Sequence, residues 1–237
     1  MNFTEHIIEY YDELYPITDD LIAFFKNELD AYPVPAKILS IECGTGLCEH
    51  RLAKCGFDIT AIGAERRFID TAVRRHRTPN AALRFFQMEP LDIGRFLAKN
   101  FYHCTAILDG FIYFIHDKTL LRKFLYDCKA GLVPEGRLIV HLPDMLQDKE
   151  SPRVKLTSSI QNDEDGEKGL LTQTLERTDA SGGIKRIPVR TGVPVYIPSV
   201  KELTGYAREA GFKDAAFYKA WKSLPVRPDE ADIAVFS

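Results

Sequence analysis

The feature that most constrains the fold is an apolar run that ends in a glycine-rich turn. Residues 38–41, Ile-Leu-Ser-Ile, have the composition of a strand buried on both faces. Gly44 and Gly46 follow, and the spacing of apolar residues becomes helical over 47–52. A strand, a glycine turn and a helix leave free backbone N–H groups that suit a polar or anionic ligand group. The same pattern also fits an ordinary strand-to-helix turn, so ligand binding stays open at this point.

A second strand and a second helix follow directly. Residues 56–63 predict a short strand, and residues 66–75 predict a helix. The alternation of strand and helix predicts a parallel sheet with right-handed crossovers. In such sheets, ligands bind beyond the carboxyl ends of the strands.

Together these residues resemble the class I S-adenosylmethionine-dependent methyltransferases. The matching segments are ILSIECGTG (38–46), LAKCGFDITAIGAERRFIDTA (52–72), LRFFQMEPLDI (83–93), TAILDGFIYFIHD (105–117) and LLRKFLYDCKAGLVPEGRLIVHLPD (120–144). The resemblance implies an α/β fold with a Rossmann-like, doubly wound, mostly parallel sheet of about seven strands. It is strongest to small-molecule enzymes with an antiparallel lid after the fifth strand, and it implies S-adenosylmethionine as the cofactor.

Three positions depart from the family pattern. Glu42 replaces the first glycine of the turn, and Ser40 replaces the acid two residues earlier. Gly63 replaces the acid that ends the second strand and holds the ribose hydroxyls in the family. Glu65 is the nearest acid, and we predict that it reaches the ribose from the loop. Glu42 brings an anion close to the cofactor, where it either repels the methionine carboxylate or pairs with the ammonium.

The resemblance also implies other cofactor-binding residues. They are Tyr11 and Tyr15 in an N-terminal segment folded over the cofactor, Cys43, Gly44 and Gly46 in the glycine turn, Met88 and Glu89 beside the adenine, and Asp109 and Gly110 after the fourth strand. For the two tyrosines, simple packing is an equally good interpretation.

Methyl transfer from a sulfonium is a direct displacement, in which the protein supplies position and a dry site. A catalytic triad is therefore not expected. If the acceptor is an amine or a hydroxyl, the candidate bases are Asp109, His116 and His141. A histidine at the end of a strand, such as His141, is more often structural, and that alternative stays open.

The sequence therefore predicts an S-adenosylmethionine-dependent methyltransferase that acts on an N or O atom of a small molecule. The alternative is a catalytically degenerate ligand-binding or regulatory protein with the same fold, which the residues at 40, 42 and 63 favour. A nicotinamide-dependent oxidoreductase is disfavoured, because the third glycine of its motif would fall on Glu49.

Residues 148–197 are predicted as an antiparallel lid hairpin inserted into a single methyltransferase-like domain that spans 1–237. The runs 170–176 and 184–190 alternate in polarity around a glycine-containing turn, which is typical of a hairpin. The polar stretch 148–168 predicts a mobile surface segment.

Two local signals follow in this region. Pro188 makes the second strand of the hairpin an edge strand or interrupts it, because proline has no N–H to donate to a ladder. Ser199 begins a helix, with Glu202 at the capping-box position.

The net charge and the cysteine pattern bear on which partners and which cellular compartment are expected. A net charge of −3 and a pI of about 6.1 argue against a nucleic-acid binder, and the arginines at 66, 67, 74, 75 and 77 fit a solvated helix face. Five cysteines without zinc-ligand spacing are typical of reduced thiols in a cytoplasmic protein. There is no signal-peptide pattern, and no apolar run approaches the roughly 20 residues that span a bilayer. We predict a cytoplasmic protein that binds a small-molecule methyl acceptor, without nucleic acid, membrane or metal; the pattern sets no oligomeric state.

Overall fold

Strands and helices alternate along the first half of the chain. The computed structural model describes residues 3–76, 82–108, 111–142, 148–162, 168–178 and 183–237. The strands are β1 (Lys37–Ile41), β2 (Asp58–Gly63), β3 (Leu83–Gln87), β4 (Tyr102–Ile107), β5 (Leu132–His141), β6 (Lys149–Glu150), β7 (Val154–Asn162), β8 (Lys168–Thr178), β9 (Ile184–Tyr196), β10 (Ala215–Tyr218) and β11 (Ile233–Phe236). The helices are α1 (Phe3–Ile8), α2 (Tyr11–Leu14), α3 (Asp19–Leu29), α4 (Leu47–Lys54), α5 (Arg66–Arg75), α6 (Ile93–Phe96), α7 (Phe111–Phe114), α8 (Lys118–Gly131) and α9 (Val200–Glu209), with a 3-10 turn at Pro90–Asp92.

Seven strands form one main sheet in the order β10-β11-β5-β4-β1-β2-β3. β1 pairs in parallel with β2 and β4, β2 with β3, and β4 with β5. β11 runs antiparallel to both of its neighbours, β5 and β10. The predicted Rossmann-like, mostly parallel sheet is confirmed. Its strand order reverses between β1 and β4, which is where such sheets open a crevice for ligands.

The side chains of β1 alternate between the two faces of the main sheet. Ile38 packs in one core cluster with Phe24 of α3, whereas Leu39 and Ile41 pack in another with Phe124 of α8. The three side chains of β1 are each at most 2% exposed. Burial of such a side chain contributes about 1.5–3 kcal/mol, so packing on both faces fixes β1 at the centre of the sheet.

The other four strands form a separate antiparallel sheet in the order β6-β7-β8-β9, here called the second sheet. The predicted hairpin is the β8–β9 pair. Pro188 lies on β9, which is an edge strand as predicted. Residues 179–182, which include part of the predicted turn, lie outside the described residues.

One expectation for this region is wrong. The stretch 148–168 is predicted as a mobile surface segment, but residues 148–162 contain β6 and β7, and β7 pairs with β8 over its whole length. Residues 163–167 lie outside the described residues. Its polar composition belongs to the exposed face of the strand. Val154 and Leu156 point the other way and are at most 3% exposed.

The N-terminal helices cover the second sheet. Ile7 of α1 and Leu14 of α2 share a hydrophobic cluster with Val154, Leu175 and Ile187. The sequence predicted two helices separated at Pro16, and the structure has two short helices before that proline and α3 after it. The N-terminal segment therefore joins the second sheet to the rest of the chain.

Several negative findings apply to the described part of the chain. None of its helices is long and apolar enough to cross a membrane. It contains no group of three or more His, Cys, Asp or Glu side chains arranged to hold a metal ion. The five cysteines are free thiols, of which Cys55 is exposed and the other four are buried.

The predicted capping box at the start of α9 forms. Ser199 Oγ accepts a hydrogen bond from the Glu202 backbone N–H at 3.2 Å, and Glu202 Oε2 accepts one from the Ser199 N–H at 2.9 Å. We expect Ser199→Ala to lower the free energy of unfolding by about 1 kcal/mol, because the Glu202 backbone N–H at the helix start loses its acceptor and the Glu202 carboxylate loses the bond from the Ser199 hydroxyl. Ser199→Thr keeps the cap and is the control. Equal urea midpoints for the Ala and Thr variants would contradict this reading.

Candidate functional site

Two cavities lie at the carboxyl ends of β1, β2 and β4. The β2 cavity is lined by Ile7, Tyr11, Tyr15, Glu42, Gly44, Gly63, Glu65, Phe68, Ile69, Tyr113 and Arg190. The β4 cavity is lined by Tyr11, Asp12, Tyr15, Ile17, Ser40, Ile41, Glu42, Cys43, Thr45, Leu47, Cys48, Glu49 and Leu108. The two share Tyr11, Tyr15 and Glu42, which lie between them. A further cavity beside α6 and α8 shares no lining residue with either.

The two glycines of the turn have different surroundings. Gly44 and Gly46 have φ angles of 55° and 80°, in the left-handed region that favours glycine. A Cβ built on Gly44 would lie 2.5 Å from Tyr11 Oη. A Cβ built on Gly46 would lie 2.7 Å from the Phe85 ring. Gly44 thus lines the β2 cavity, whereas Gly46 lines neither cavity and allows the turn to pack against β3.

Glu42 occupies an unusual backbone position. Its φ is 56°, a region in which a residue other than glycine costs about 1–3 kcal/mol. Its Oε1 accepts a hydrogen bond from the Ala64 backbone N–H at 3.0 Å. Its Oε2 lies 4.0 Å from the position of a Cβ built on Gly63. The carboxylate therefore lies over the end of β2, where Gly63 has no side chain.

Burial governs the protonation of Glu42. It is the largest cause of a rise in the pKa of this carboxyl to about 7, to which the nearby negative charges of Glu89 and Glu65 also contribute. The Ala64 N–H and the positive charge of Arg190 oppose this shift. Near neutral pH the group therefore lies close to its titration midpoint.

Glu49 is a second buried carboxyl at the site, on the opposite side of the glycine turn. It lies in the first turn of α4 and is 2% exposed, and its Oε1 accepts a hydrogen bond from Ser40 Oγ at 2.6 Å. Its Oε2 is buried and has no hydrogen-bond partner among the described residues. Burial raises the pKa of Glu49 to about 7 as well, against the effect of the Ser40 bond. A carboxyl that is half satisfied and borders a cavity is suited to a donor or a cation from a ligand.

Sequence reasoning did not assign a site role to Glu49. It appeared only as the residue that breaks a nicotinamide-binding motif. The available signal was an acid in the first helical turn after a glycine turn whose usual acid, at position 40, is a serine.

The N-terminal segment supplies two aromatic rings between the cavities. The ring of Tyr11 stacks on Tyr15 with centroids 4.6 Å apart, and it meets the edge of Phe68 at 4.9 Å. The amino group of Lys149 lies 4.2 Å from the centroid of Tyr15. Both predicted tyrosines therefore lie at the site, in contact with other side chains.

Polar contacts hold this segment in place on two sides. Asp12 accepts a hydrogen bond from the Thr45 hydroxyl in the glycine turn and pairs with Arg75 of α5 at 3.0 Å. Glu13 accepts a hydrogen bond from Ser151 Oγ at 3.0 Å, next to β7, and also pairs with Arg153. Helix α2 therefore links the glycine turn to the second sheet.

The second sheet contributes a polar cluster to the β2 cavity, which sequence reasoning missed. The Arg190 guanidinium lies 3.6 Å from the centroid of the Tyr113 ring and donates to Gln173 Oε1 at 2.5 Å. Gln173 is 3% exposed and donates to Ser158 Oγ at 3.0 Å. These residues lie far apart in sequence and meet through the pairing of β7, β8 and β9.

The remaining predicted cofactor residues lie in different surroundings. Glu65 lines the β2 cavity and is exposed at the start of α5, whereas Cys43 lines the β4 cavity and is buried. Burial raises the pKa of the Cys43 thiol well above its ordinary value. Met88 is partly buried, Glu89 is exposed, and neither lines a cavity. The backbone N–H of Met88 donates to Gly63 at 3.1 Å.

The candidate bases are only partly placed. His116 Nδ1 lies 2.8 Å from the Pro194 carbonyl oxygen, and His141 Nδ1 lies 2.6 Å from that of Leu108. Neither histidine lines the β2 or the β4 cavity. Asp109 and Gly110 lie outside the described residues, directly after Leu108 of the β4 cavity.

Comparison with known proteins gives likenesses in structure. No protein-family model and no curated protein matches the sequence. An S-adenosylmethionine-dependent methyltransferase from Clostridium acetobutylicum is similar with a TM-score of 0.73 at 15% identity, over 99% of this chain and 98% of that one. An amino pentose methyltransferase from Micromonospora echinaspora, solved with S-adenosylmethionine bound, is similar with a TM-score of 0.69 at 17% identity. The match covers 97% of this chain and 95% of that one. A sugar N-methyltransferase from Streptoalloteichus is similar with a TM-score of 0.64 at 13% identity, over 95% of this chain and 91% of that one.

These likenesses extend over nearly the whole of each chain at low sequence identity, so they concern the fold. The first two alignments cover 97–99% of this chain, so both the main sheet and the second sheet fall within them. The chain has the fold of the class I S-adenosylmethionine-dependent methyltransferases, as the sequence resemblance implies.

Proposed function

We propose that this protein is an S-adenosylmethionine-dependent methyltransferase that acts on an N or O atom of a small molecule. The observation that carries the proposal is the pair of cavities at the strand ends, bordered by bare backbone at Gly44 and Gly63 and by the carboxyls of Glu42 and Glu49. The five free thiols favour a reducing compartment such as the cytoplasm.

The described residues fit such a cofactor chemically. S-adenosylmethionine, when bound, supplies an electrophilic methyl group on a sulfonium. Its cationic ammonium matches the half-satisfied Glu49 carboxyl, and its polar groups match the backbone of the glycine turn. Tyr11 and Tyr15 offer aromatic surface between the two cavities.

The chain itself supplies position and exclusion of water. Helix α2 holds the aromatic pair at the glycine turn through Asp12, and it holds the second sheet through Glu13. We infer that residues 148–197 act as the lid over the site. A site closed in this way strengthens electrostatic contacts with a charged ligand.

The polar cluster of the second sheet indicates which class of methyl acceptor the site would bind. Arg190 lines the β2 cavity, and the buried Gln173 holds its guanidinium by accepting a hydrogen bond from it. Hydrogen-bonding side chains suit a hydroxylated or anionic molecule. Because two of the similar structures are described as sugar or amino pentose methyltransferases, amino sugars are the first acceptors to screen. Asp109, His116 and His141 stay predictions as bases.

A second candidate function is a binding protein with the same fold and without turnover. The observation that favours it is the Tyr11 ring, which lies against Gly44 and occupies space above the glycine turn. Formation of S-adenosylhomocysteine in the presence of an acceptor supports the enzyme. Binding of S-adenosylmethionine with no product from any amine or hydroxyl acceptor supports the binding protein.

The first prediction concerns Gly44. Gly44→Ala adds a Cβ that would lie 2.5 Å from Tyr11 Oη, so the ring must move into the cavity. We expect calorimetry to show that S-adenosylhomocysteine binds at least about tenfold more weakly to this variant. Gly56→Ala is the control, because Gly56 also has a positive φ, 95°, but no atom lies within 4 Å of its built Cβ. Binding of NAD but not S-adenosylhomocysteine by the parent, or equal affinity in Gly44→Ala, would contradict the assignment.

The second prediction concerns Glu49. Its pKa in the folded protein, about 7, lies above the ordinary value of 4.5. The folded state therefore keeps a proton that the unfolded state loses, and this stabilisation is present below pH 4.5 and is lost as the pH rises through about 7. Relative to Glu49→Gln, the free energy of unfolding of the parent should fall by about 3 kcal/mol between these limits.

Denaturant titrations of both proteins at acidic, neutral and mildly alkaline pH measure this difference. Subtracting one profile from the other removes the contributions of the histidines and other shared groups. Parallel profiles would show that the pKa of Glu49 is the same in the folded and unfolded states, and would contradict the raised pKa.

A further inference from the structure

At the ends of β1 and β2, the residue types do not match the backbone angles. A glutamate lies where the backbone favours glycine, and a glycine lies where the backbone accepts any residue. Glu42, at φ 56°, occupies a left-handed position that favours glycine. Gly63 is not among the residues with a positive φ, so a side chain is compatible with its backbone. Strain held at one residue, beside a glycine that the backbone does not need, points to a functional reason.

A Cβ on residue 63 would make only ordinary van der Waals contacts, so neither the backbone nor a clash at the Cβ requires glycine there. A Cβ there would lie 3.4 Å from Ile69 Cδ1 and 4.0 Å from Glu42 Oε2. The Glu42 carboxylate thus lies close to where a side chain on residue 63 would begin. The register of β1 and β2 causes this, because Ile41 pairs with Ile62 and the next residues are Glu42 and Gly63.

In α/β folds that bind an adenine nucleotide, an acid about 20 residues after the glycine turn accepts hydrogen bonds from the ribose hydroxyls. That distance from Gly44 falls at the end of β2, where this chain has Gly63 and Ala64. The Ala64 N–H holds Glu42 Oε1 at this same place. A carboxylate has about four acceptor positions, so the bond from Ala64 leaves capacity for two further donors.

We propose that Glu42, reaching across from β1, accepts the hydrogen bonds of the ribose diol of an adenosyl ligand in place of an acid at the end of β2. The proposal rests on the proposed function. It assigns to Glu42 the role that the sequence predicted for Glu65. Glu65 lines the same cavity but is exposed, whereas Glu42 is half-buried and accepts a hydrogen bond from the Ala64 backbone. A hydrogen bond to a shielded charge is worth more than one to a charge in water.

The test is a thermodynamic cycle in which the protein carboxylate and the ligand hydroxyls are removed separately and together. The probes are S-adenosylhomocysteine and its 2′,3′-dideoxy analogue, titrated by calorimetry into the parent, Glu42→Gln and Glu65→Gln. We expect removal of the diol to weaken binding to the parent by about tenfold or more. In Glu42→Gln this loss should shrink to about threefold or less, and in Glu65→Gln it should keep its full size.

Exchanging the residues back provides a second measurement that does not depend on Glu42→Gln folding. Glu42→Gly alone should melt at a higher temperature than the parent, because it relieves the positive φ, and should bind S-adenosylhomocysteine about tenfold more weakly. Adding Gly63→Asp to Glu42→Gly should restore affinity and sensitivity to the diol, because the acid then lies at the end of β2.

The outcomes separate the two proposals. Loss of diol sensitivity in Glu42→Gln, or its recovery in the exchanged double variant, supports the role of Glu42. Full diol sensitivity in Glu42→Gln, or its loss in Glu65→Gln instead, overturns that role and leaves the proposed function standing. A parent that does not bind S-adenosylhomocysteine at millimolar concentration overturns both.

Discussion

The parallel pairing of β1 with β2 on one side and β4 on the other is the constraint on which the site depends. Parallel strands bring their carboxyl ends to one edge, and a buried central strand fixes their register. The consequence is local and specific. The residue after Ile41 arrives beside Gly63, and Ser40 lies within reach of the first turn of α4, where Glu49 accepts its hydrogen bond. Glu42 follows β1 directly, and Glu49 is held on α4 by the hydrogen bond from Ser40 of β1.

Each of these carboxyls lies where a side chain of a different type would cost less. Glu42 combines backbone strain with burial of a charge, and Glu49 is left with an oxygen that has no partner among the described residues. Costs of this kind persist only when the surrounding packing stabilises the fold by more. A ligand that provides donors or a positive charge at these positions would recover part of the cost on binding. The same reasoning explains why both groups titrate near neutrality in the free protein.

Much of the fold could be predicted from the sequence, because strands buried on both faces and helices with one apolar face have distinct periods. The main sheet follows from apolar runs such as 38–41 and from glycines that need a positive φ. Strand β7 is not predicted, because only one of its faces is buried and its sequence is therefore mostly polar. The prediction of Glu65 for the ribose rests on its nearness to Gly63 along the chain, whereas the proposal for Glu42 rests on the pairing of β1 with β2. Glu42 is distant along the chain and close across the β1–β2 register, which periodicity alone does not give.

The contacts of α2 connect the glycine turn to the second sheet. Asp12 binds the glycine turn and Glu13 binds the start of β7, so one short helix touches both parts of the site. The hydrophobic cluster beneath it joins α1 and α2 to β7, β8 and β9. Arg190, on β9, lines the β2 cavity together with Glu42, and its positive charge lowers the pKa of that carboxyl. A displacement of the second sheet would therefore change both the shape of the cavity and the charge of Glu42. This coupling joins the second sheet and the Glu42 carboxylate through the charge of Arg190.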